Sequence, residues 1–274
     1  MPTAAEASRV GGEVTHMRRG LLGKIYTVFS NVARKISQTL KCHVPNIHAG
    51  LFEDTVAGPT TKTPAGCGTE SFEKCGTDLI IFAGGPVIPV SKEELVTTCP
   101  KEKTSEKCAR AYAQKCLARF PRGMVMLLLD GIRTEVNAKC NDSGAGHQEY
   151  LKHSGCMNSN GVKLHQCMRD LTQVLDQSVD APTKSRLGLS CCSFNTYKTC
   201  MTEAVKTPCG TGTTAYVDKL ITGYAGDLLD TVCINFKAGT DACKALPSLP
   251  KSTKTGRSAS LLSPLARIVT SLNG

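Results

Sequence analysis

Apolar residues recur at intervals of three and four along the middle of the chain, which is the spacing of one face of an α-helix. The clearest runs are Leu128, Ile132, Val136 and Cys140; Leu164, Cys167, Met168, Leu171, Val174 and Leu175; and Val217, Leu220, Ile221, Tyr224, Leu228 and Val232. The apolar–polar alternation of a half-buried strand is hard to find. The pattern therefore predicts an all-α protein.

Glycine and proline clusters separate these runs. They stand at Gly84-Gly85-Pro86, Pro121-Arg122-Gly123, Pro182 and Pro208-Cys209-Gly210-Thr211-Gly212. Because both residue types interrupt helices, we expect turns at these points and helical hairpins between them.

The cysteines carry an internal repeat. Seven and then 23 residues separate Cys67, Cys75 and Cys99, and the same two gaps recur in Cys108, Cys116 and Cys140. Two looser units follow, in which the second gap is again 23 residues: Cys156, Cys167 and Cys191, and Cys200, Cys209 and Cys233. This spacing predicts a disulfide-rich array of four units, each a helical hairpin of about forty to fifty residues.

Helix geometry restricts which of these cysteines can pair. Two cysteines eight residues apart in one helix lie about 12 Å apart along its axis, whereas the Cα atoms of a disulfide lie within about 7 Å. The first two cysteines of a unit therefore need partners elsewhere. One hypothesis is that the third cysteine returns beside the first helix of its own unit and staples the hairpin, while the remaining cysteine links neighbouring units.

Fourteen cysteines are expected to form disulfides, namely Cys67, Cys75, Cys99, Cys108, Cys116, Cys140, Cys156, Cys167, Cys191, Cys192, Cys200, Cys209, Cys233 and Cys243. Cys42 stands outside the pattern and is the candidate for an unpaired or intermolecular thiol. Fifteen cysteines in 274 residues are typical of an oxidising compartment, so we expect a secreted, extracellular protein.

The N-terminus and one sequon bear on secretion. Asn141-Asp142-Ser143 makes Asn141 a predicted glycosylation site. The first residues have no convincing signal peptide, so we expect that Met1 is not the natural start of the mature chain. No apolar stretch reaches the roughly 20 residues that span a bilayer, so no transmembrane segment is expected.

The net charge of +10 is unevenly distributed. Residues 1–42 have seven Lys/Arg and two Glu, and residues 244–274 have five Lys/Arg and no acid. Residues 43–243 are neutral, with 21 bases and 21 acids. We predict a disulfide-rich helical repeat domain at 43–243, between a basic amphipathic flank and a basic, Pro/Ser-rich flexible tail. A nucleic-acid-binding domain has its basic stripe on the folded part, so no nucleic-acid partner is expected.

One stretch resembles a known family. From Cys191 to Cys233 the chain reads Cys-Cys-x7-Cys-x8-Cys-Gly-x22-Cys, with Gly226-Asp227-Leu228-Leu229-Asp230 just before the last cysteine. This is similar to a group of secreted arthropod proteins that includes the twenty-seven-kilodalton haemolymph glycoproteins. The resemblance is clear over roughly the last third of the chain. It implies an extracellular, helical, disulfide-bonded protein of body fluid and supplies no catalytic residues.

Two clusters invite a chemical interpretation. His153, Cys156, His165 and Cys167 have the close His/Cys spacing of a zinc site. Two of them, the cysteines, fall on repeat positions whose counterparts have no nearby histidine, so disulfides explain them better and no metal is expected. Cys209-Gly210-Thr211-Gly212 looks like a phosphate loop, but no strand precedes it, which favours a turn between helices.

Catalytic motifs are missing from the sequence. There is no Gly-x-Ser-x-Gly, His-Glu-x-x-His or Gly-x-x-x-x-Gly-Lys pattern. Asp227 and Asp230 share a helix face, where we expect them to be solvated. We therefore expect no enzyme and no cofactor.

Two functions remain open on the sequence. The apolar helix faces either only close the core or also enclose a small hydrophobic ligand, which would make the protein a carrier or binding protein of body fluid or secretion. Residues 21–36 form a cationic amphipathic pattern that either packs on the repeats or lies on an anionic membrane surface. The second possibility would make the protein a venom or defence effector that acts through its basic flanks.

Overall fold

The structure is a computed structural model that describes residues 65–250 and 258–272. Within these ranges the chain is all-α and disulfide-rich, as predicted, with eight helices and no strand. The predictions for residues 1–42, including the amphipathic flank and Cys42, lie outside the described residues.

The helices vary widely in length. In chain order they are α1 (Thr69–Gly76), α2 (Lys92–Cys116), α3 (Arg119–Lys139), α4 (Ala145–Ser159), α5 (Gly161–Asp180), α6 (Thr183–Val232), α7 (Asp241–Lys244) and α8 (Leu262–Ser271). The predicted apolar faces form the core, because Leu128, Ile132 and Val136 of α3 are each at most 4% exposed. Leu164 and Met168 of α5 are buried in the same way.

Seven disulfides divide the domain into two modules. The first module, residues 65–140, contains Cys67–Cys116, Cys75–Cys108 and Cys99–Cys140. The second module, residues 156–243, contains Cys156–Cys209, Cys167–Cys200, Cys191–Cys233 and Cys192–Cys243. If the six shared cysteines of each module are numbered in order, both modules pair the first with the fifth, the second with the fourth and the third with the sixth.

This connectivity corrects the hypothesis of a staple within each hairpin. Cys99, the third cysteine of its unit, pairs with Cys140 of the next unit, and Cys191 pairs with Cys233 in the same way. The four predicted units therefore combine in pairs. Among the described residues no disulfide joins one module to the other, so packing and hydrogen bonds such as that between His165 and the Phe82 carbonyl hold the modules together.

The modules differ at one joint. Leu117 and Ala118 are extended between α2 and α3, whereas the second module continues as one helix, α6, with a single non-helical residue. That residue is Gly210, whose φ of 76° is accessible to glycine at little cost. The turn predicted at 208–212 is therefore a kink in a long helix. The break predicted at Pro121 is instead the first turn of α3, where proline is tolerated.

Helix α3 crosses the second half of α6 at Gly131. A Cβ atom there would overlap the backbone oxygens of Gly223 and Tyr224, so the two helices approach as closely as glycine allows. Gly131 precedes Cys140 by nine residues, and Tyr224 precedes Cys233 by nine. Equivalent positions of the two modules thus meet, as they do around a two-fold axis.

Helix α8 corrects the prediction of a flexible tail. Leu262, Ile268 and Val269 are at most 3% exposed, and the helix packs against α1, α3, α5 and α6. Its apolar spacing buries one face although Pro264 falls in its first turn, where the missing N–H costs no hydrogen bond. Residues 258–272 therefore belong to the folded domain.

Candidate functional site

An apolar cavity of about 80 Å³ lies between the second module, α3 and α8. Both halves of α6 contribute to its wall, together with α5. The lining side chains are almost all apolar and include Met124, Leu128, Met168, Leu171, Phe194, Ile221, Leu228, Val232, Leu261, Leu265 and Ile268. Such a cavity excludes water and accepts apolar groups, because water needs polar partners to occupy a site.

Helix α8 closes one side of this cavity without a covalent link to it. Every other described helix contains or is capped by a half-cystine, but α8 is not. The residues before it are fixed by two carboxylates. Ser258 donates from its N–H and its hydroxyl to Asp176 at 2.8 and 2.7 Å, and the Ser260 N–H donates to Glu73 at 2.9 Å.

A second, polar pocket of about 240 Å³ adjoins the apolar cavity. The two share Met168 and Leu261 as a common wall. The polar pocket is lined on α5 by His165, Arg169 and Thr172, and on the approach to α8 by Ser258, Ala259 and Ser260. The cavity and the pocket are therefore neighbours, one apolar and one polar, and we call the two together the composite site.

The first module has a buried ion pair where the second module has its cavity wall. Lys139 Nζ lies 2.6 Å from Glu102 Oε1 and 5.2 Å from the centre of the Tyr150 ring. Burial raises the pKa of Glu102, and the charge and hydrogen bond of Lys139 act in the opposite direction. Glu102 Oε2 has no hydrogen-bond partner within the described residues. Glu102 lies three residues after Cys99, as Phe194 lies three residues after Cys191. Lys139 directly precedes Cys140, as Val232 directly precedes Cys233. Glu102 therefore corresponds to Phe194, and Lys139 corresponds to Val232.

Three histidines each connect one segment to another. His147 Nδ1 lies 2.7 Å from the carbonyl oxygen of Lys139, and His165 Nδ1 lies 2.7 Å from that of Phe82. His153 Nδ1 lies 3.1 Å from the Thr213 hydroxyl. Burial and the charge of Lys152 lower the pKa of His153, which favours its neutral form. Each of these histidines therefore joins a helix to a segment that is distant from it in the fold or in the sequence.

The structure disperses the candidate zinc ligands. The sulfur atoms of Cys156 and Cys167 are bonded to Cys209 and Cys200, so neither is a thiolate ligand. Among the described residues, one compact group has the side-chain types that bind metals, namely Cys99, Glu102 and Cys140. Its two cysteines form one disulfide, and its carboxylate is paired with Lys139.

The remaining predicted site residues lie at the surface. Asn141 is exposed in the turn after α3, with the Ser143 hydroxyl 3.3 Å from its Oδ1 atom. Its glycosylation stays a prediction. Asp227 and Asp230 are both exposed on α6.

Comparison of the chain with protein-family models, curated proteins and solved structures gave no match. The described helices include none that is long and apolar enough to cross a membrane. Seven disulfides in this chain are typical of proteins that fold in an oxidising compartment. Within the described residues, the composite site is the feature that bears on function.

Sequence reasoning missed the composite site. The apolar residues of its inner part were assigned to the core, and nothing in their spacing separates a cavity wall from a filled core. Arg169 and Ser260 lie 91 positions apart in the sequence and share no motif. The one available signal was the apolar run from Leu261 to Val269, which Pro264 and Arg267 interrupt in the sequence.

Proposed function

We propose that this protein is a secreted, non-enzymatic binding protein that carries a small hydrophobic ligand. The observation that carries the proposal is the apolar cavity between the second module, α3 and α8. Protein cores are packed with few voids larger than a water molecule, so an apolar void of about 80 Å³ is costly unless a ligand fills it.

The disulfides favour the extracellular part of the proposal. They hold both ends of α6 and the adjoining α7, so most of the cavity wall keeps its position without a ligand. A preformed wall lowers the ordering cost of binding. A carrier in body fluid benefits from such a wall because the protein must stay folded outside the cell even when no ligand is bound.

Binding of 1-octanol to the oxidised protein tests the proposal. We expect saturable binding at one site by calorimetry and an increase in the melting temperature, because a ligand that binds only the native state stabilises it. Ala225 lines the cavity. Ala225→Leu fills part of the void with the added side chain, so we expect at least a tenfold loss of affinity for 1-octanol.

The matched control is Ala215→Leu. Ala215 lies on the same half of α6 but is exposed, so this variant adds the same apolar group away from the cavity. It is expected to bind 1-octanol like the natural protein. If both variants bind equally well, or if the natural protein does not bind 1-octanol, the cavity is not a ligand site.

Secretion has its own test at Asn141. We expect the protein expressed through a secretory pathway to carry one N-glycan, seen as a mass that falls on enzymatic deglycosylation. Asn141→Gln should remove this difference and leave the disulfides intact. A natural protein of unglycosylated mass would contradict the assignment of Asn141.

A further inference from the structure

A surface groove of about 330 Å³ lies between α5, the first half of α6 and residues 246–249. Apolar side chains from all three segments line it, among them Leu189 and Leu246. Leu171 and Tyr197 line both this groove and the apolar cavity. These two side chains therefore form the boundary between the cavity and the groove.

The boundary is built from features that the shared disulfide framework does not require. The disulfide Cys192–Cys243 has no counterpart among the described cysteines of the first module. Cys243 and the residues shortly after it, including Leu246, form one side of the groove. Tyr197 lies six residues after the third shared cysteine of its module, where the first module has Ser105. The groove and its tyrosine are thus additions of the second module.

The Tyr197 hydroxyl is a donor without a partner among the described residues. The residue is 5% exposed, and its hydroxyl makes no hydrogen bond with any of them. Burial raises the pKa of Tyr197, so the hydroxyl keeps its proton at neutral pH. The unpartnered side-chain atoms that are completely enclosed are Glu102 Oε2, His147 Nε2 and Ser260 Oγ. Tyr197 Oη is not one of them, so a ligand beside Tyr197 can reach it.

A buried tyrosine hydroxyl normally has a hydrogen-bond partner. Resting on the proposed function, we infer that the ligand is an uncharged molecule with an oxygen that accepts a hydrogen bond from the Tyr197 hydroxyl. The apolar part of the ligand occupies the cavity, and the groove gives its oxygen-bearing end a path to the surface. The Tyr197 ring packs on Phe194 of the cavity lining, with ring centres 5.7 Å apart, which positions it for this contact.

The surroundings of Tyr197 favour an uncharged oxygen over a carboxylate. No charged side chain of the described residues lines the apolar cavity. In the groove the charged member of the described lining is Asp170, an exposed carboxylate that accepts from Gln166 Nε2 at 2.7 Å. An anionic oxygen at Tyr197 would lose its hydration without meeting a cation in either lining. Desolvation costs an unpaired charge far more than it costs a hydroxyl.

Tyr224 also lines the cavity, and its hydroxyl makes no hydrogen bond with a described residue. Burial, followed by the charge of Glu102, raises the pKa of Tyr224, whereas burial is the cause for Tyr197. The Tyr224 hydroxyl therefore lies toward Glu102, which does not line the cavity. Tyr224 supplies its ring to the cavity wall, and Tyr197 is the tyrosine that also borders the groove.

Tyr197→Phe tests the inference in the oxidised full-length protein. The change breaks no hydrogen bond within the described residues, so we expect an unchanged melting temperature. By calorimetry we expect about a fivefold loss of affinity for 1-octanol, the ratio that one neutral hydrogen bond supplies. n-Octane has no oxygen, so the natural protein and Tyr197→Phe should bind it equally well when binding is measured by headspace gas chromatography.

Tyr216→Phe is the matched control. Tyr216 lies on the same helix, is 8% exposed and has a hydroxyl without a described partner, but it lines neither the cavity nor the groove. This variant and Tyr224→Phe should bind 1-octanol like the natural protein. Octanoate tests the charge of the ligand. We expect it to bind the natural protein at least about tenfold less tightly than 1-octanol, because its carboxylate meets no cation at Tyr197.

The outcomes separate the inference from the proposed function. If 1-octanol binds but Tyr197→Phe leaves its affinity unchanged, weakens n-octane by the same ratio, or acts like either control variant, the inference is wrong and the proposed function stands. Octanoate binding more tightly than 1-octanol would also overturn the inference. If 1-octanol does not bind, the proposed function fails. A loss confined to Tyr197→Phe and to 1-octanol supports the inference.

Discussion

The two modules share a disulfide framework and fill it differently. In the first module, Glu102 and Lys139 form a buried ion pair beside Tyr150. In the second module, Phe194 and Val232 occupy the corresponding positions and line the apolar cavity. The same pairing of cysteines therefore supports a buried ion pair in one copy and an apolar void in the other.

This difference shows what the disulfides do and do not determine. They fix the backbone path of each module, because each closes a loop between the same two elements. They leave the side chains between the helices unconstrained. One copy can therefore have a buried ion pair while the other has a cavity, which we propose as a ligand site, and changes at equivalent positions of the two modules test this view.

The largest expected effect comes from breaking the equivalent disulfide in each module. Cys99–Cys140 spans 41 residues and Cys191–Cys233 spans 42. The chain-entropy model gives about 4 kcal/mol of unfolding free energy for either loop. We expect the two double-alanine variants to lose about equal stability in urea denaturation, and only the change in the second module to weaken 1-octanol binding. A much smaller loss in one module would mean that the modules unfold separately.

Removing one partner of the buried ion pair should have the next largest effect. Lys139→Met leaves Glu102 without its cation, and an unpaired buried charge costs about 3 kcal/mol. The double change Glu102→Phe and Lys139→Val installs the side chains of the second module. We expect it to recover most of the loss, because apolar replacements of buried ion pairs are often neutral or stabilising.

The dependence on pH sharpens this test. Burial raises the folded-state pKa of Glu102 above its ordinary value of 4.5, and Lys139→Met removes the charge and the hydrogen bond that act in the opposite direction. A carboxyl with a raised folded-state pKa stabilises the fold below the unfolded pKa and loses this contribution as pH rises through the folded pKa. The Lys139→Met variant should therefore lose unfolding free energy as pH rises above about 4.5, relative to the double variant. Parallel pH profiles would contradict this account of Glu102.

The crossing between the modules gives a smaller effect. Gly131→Ala places a Cβ atom against backbone oxygens of α6, which cannot move aside like a side chain. We expect a loss of about 2 kcal/mol in unfolding free energy. Gly123→Ala on the same helix meets no atom within 4 Å and should be neutral or slightly stabilising, because alanine has the higher helix propensity. Equal melting temperatures for the two variants would contradict the close contact between α3 and α6 at Gly131.

The smallest expected effect concerns His153, which packs on Tyr216 with ring centres 4.9 Å apart. Burial lowers its folded-state pKa below 6.5, so it stabilises the fold above the unfolded pKa and loses this contribution as pH falls through the folded pKa. His153→Gln should flatten the fall in stability below about pH 6.5. Lys152→Gln keeps the imidazole but removes a charge that lowers the pKa of His153. The pH profile of stability for Lys152→Gln should therefore lie between those of the natural protein and His153→Gln.

The sequence predicted the helical class, and the structure confirms it. The runs on α3, α5 and α6 work as predictors because a helix buries residues three and four apart whatever it packs against. The pairing of the cysteines escaped prediction. The constant gap of 23 residues suggested a staple within each unit, but Cys99 and Cys140 meet only because α2 and α3 fold back across two units.

What the sequence determined by itself was local: the helix periodicity, the turn residues and the repeat of the cysteines. These follow from interactions between residues close together in the chain. The tertiary structure alone decided that four units form two modules, that α8 packs into the domain, and that Arg169 and Ser260 share a pocket. Those outcomes depend on which apolar faces bury each other most completely, a property of the whole packed chain that spacing along it does not encode.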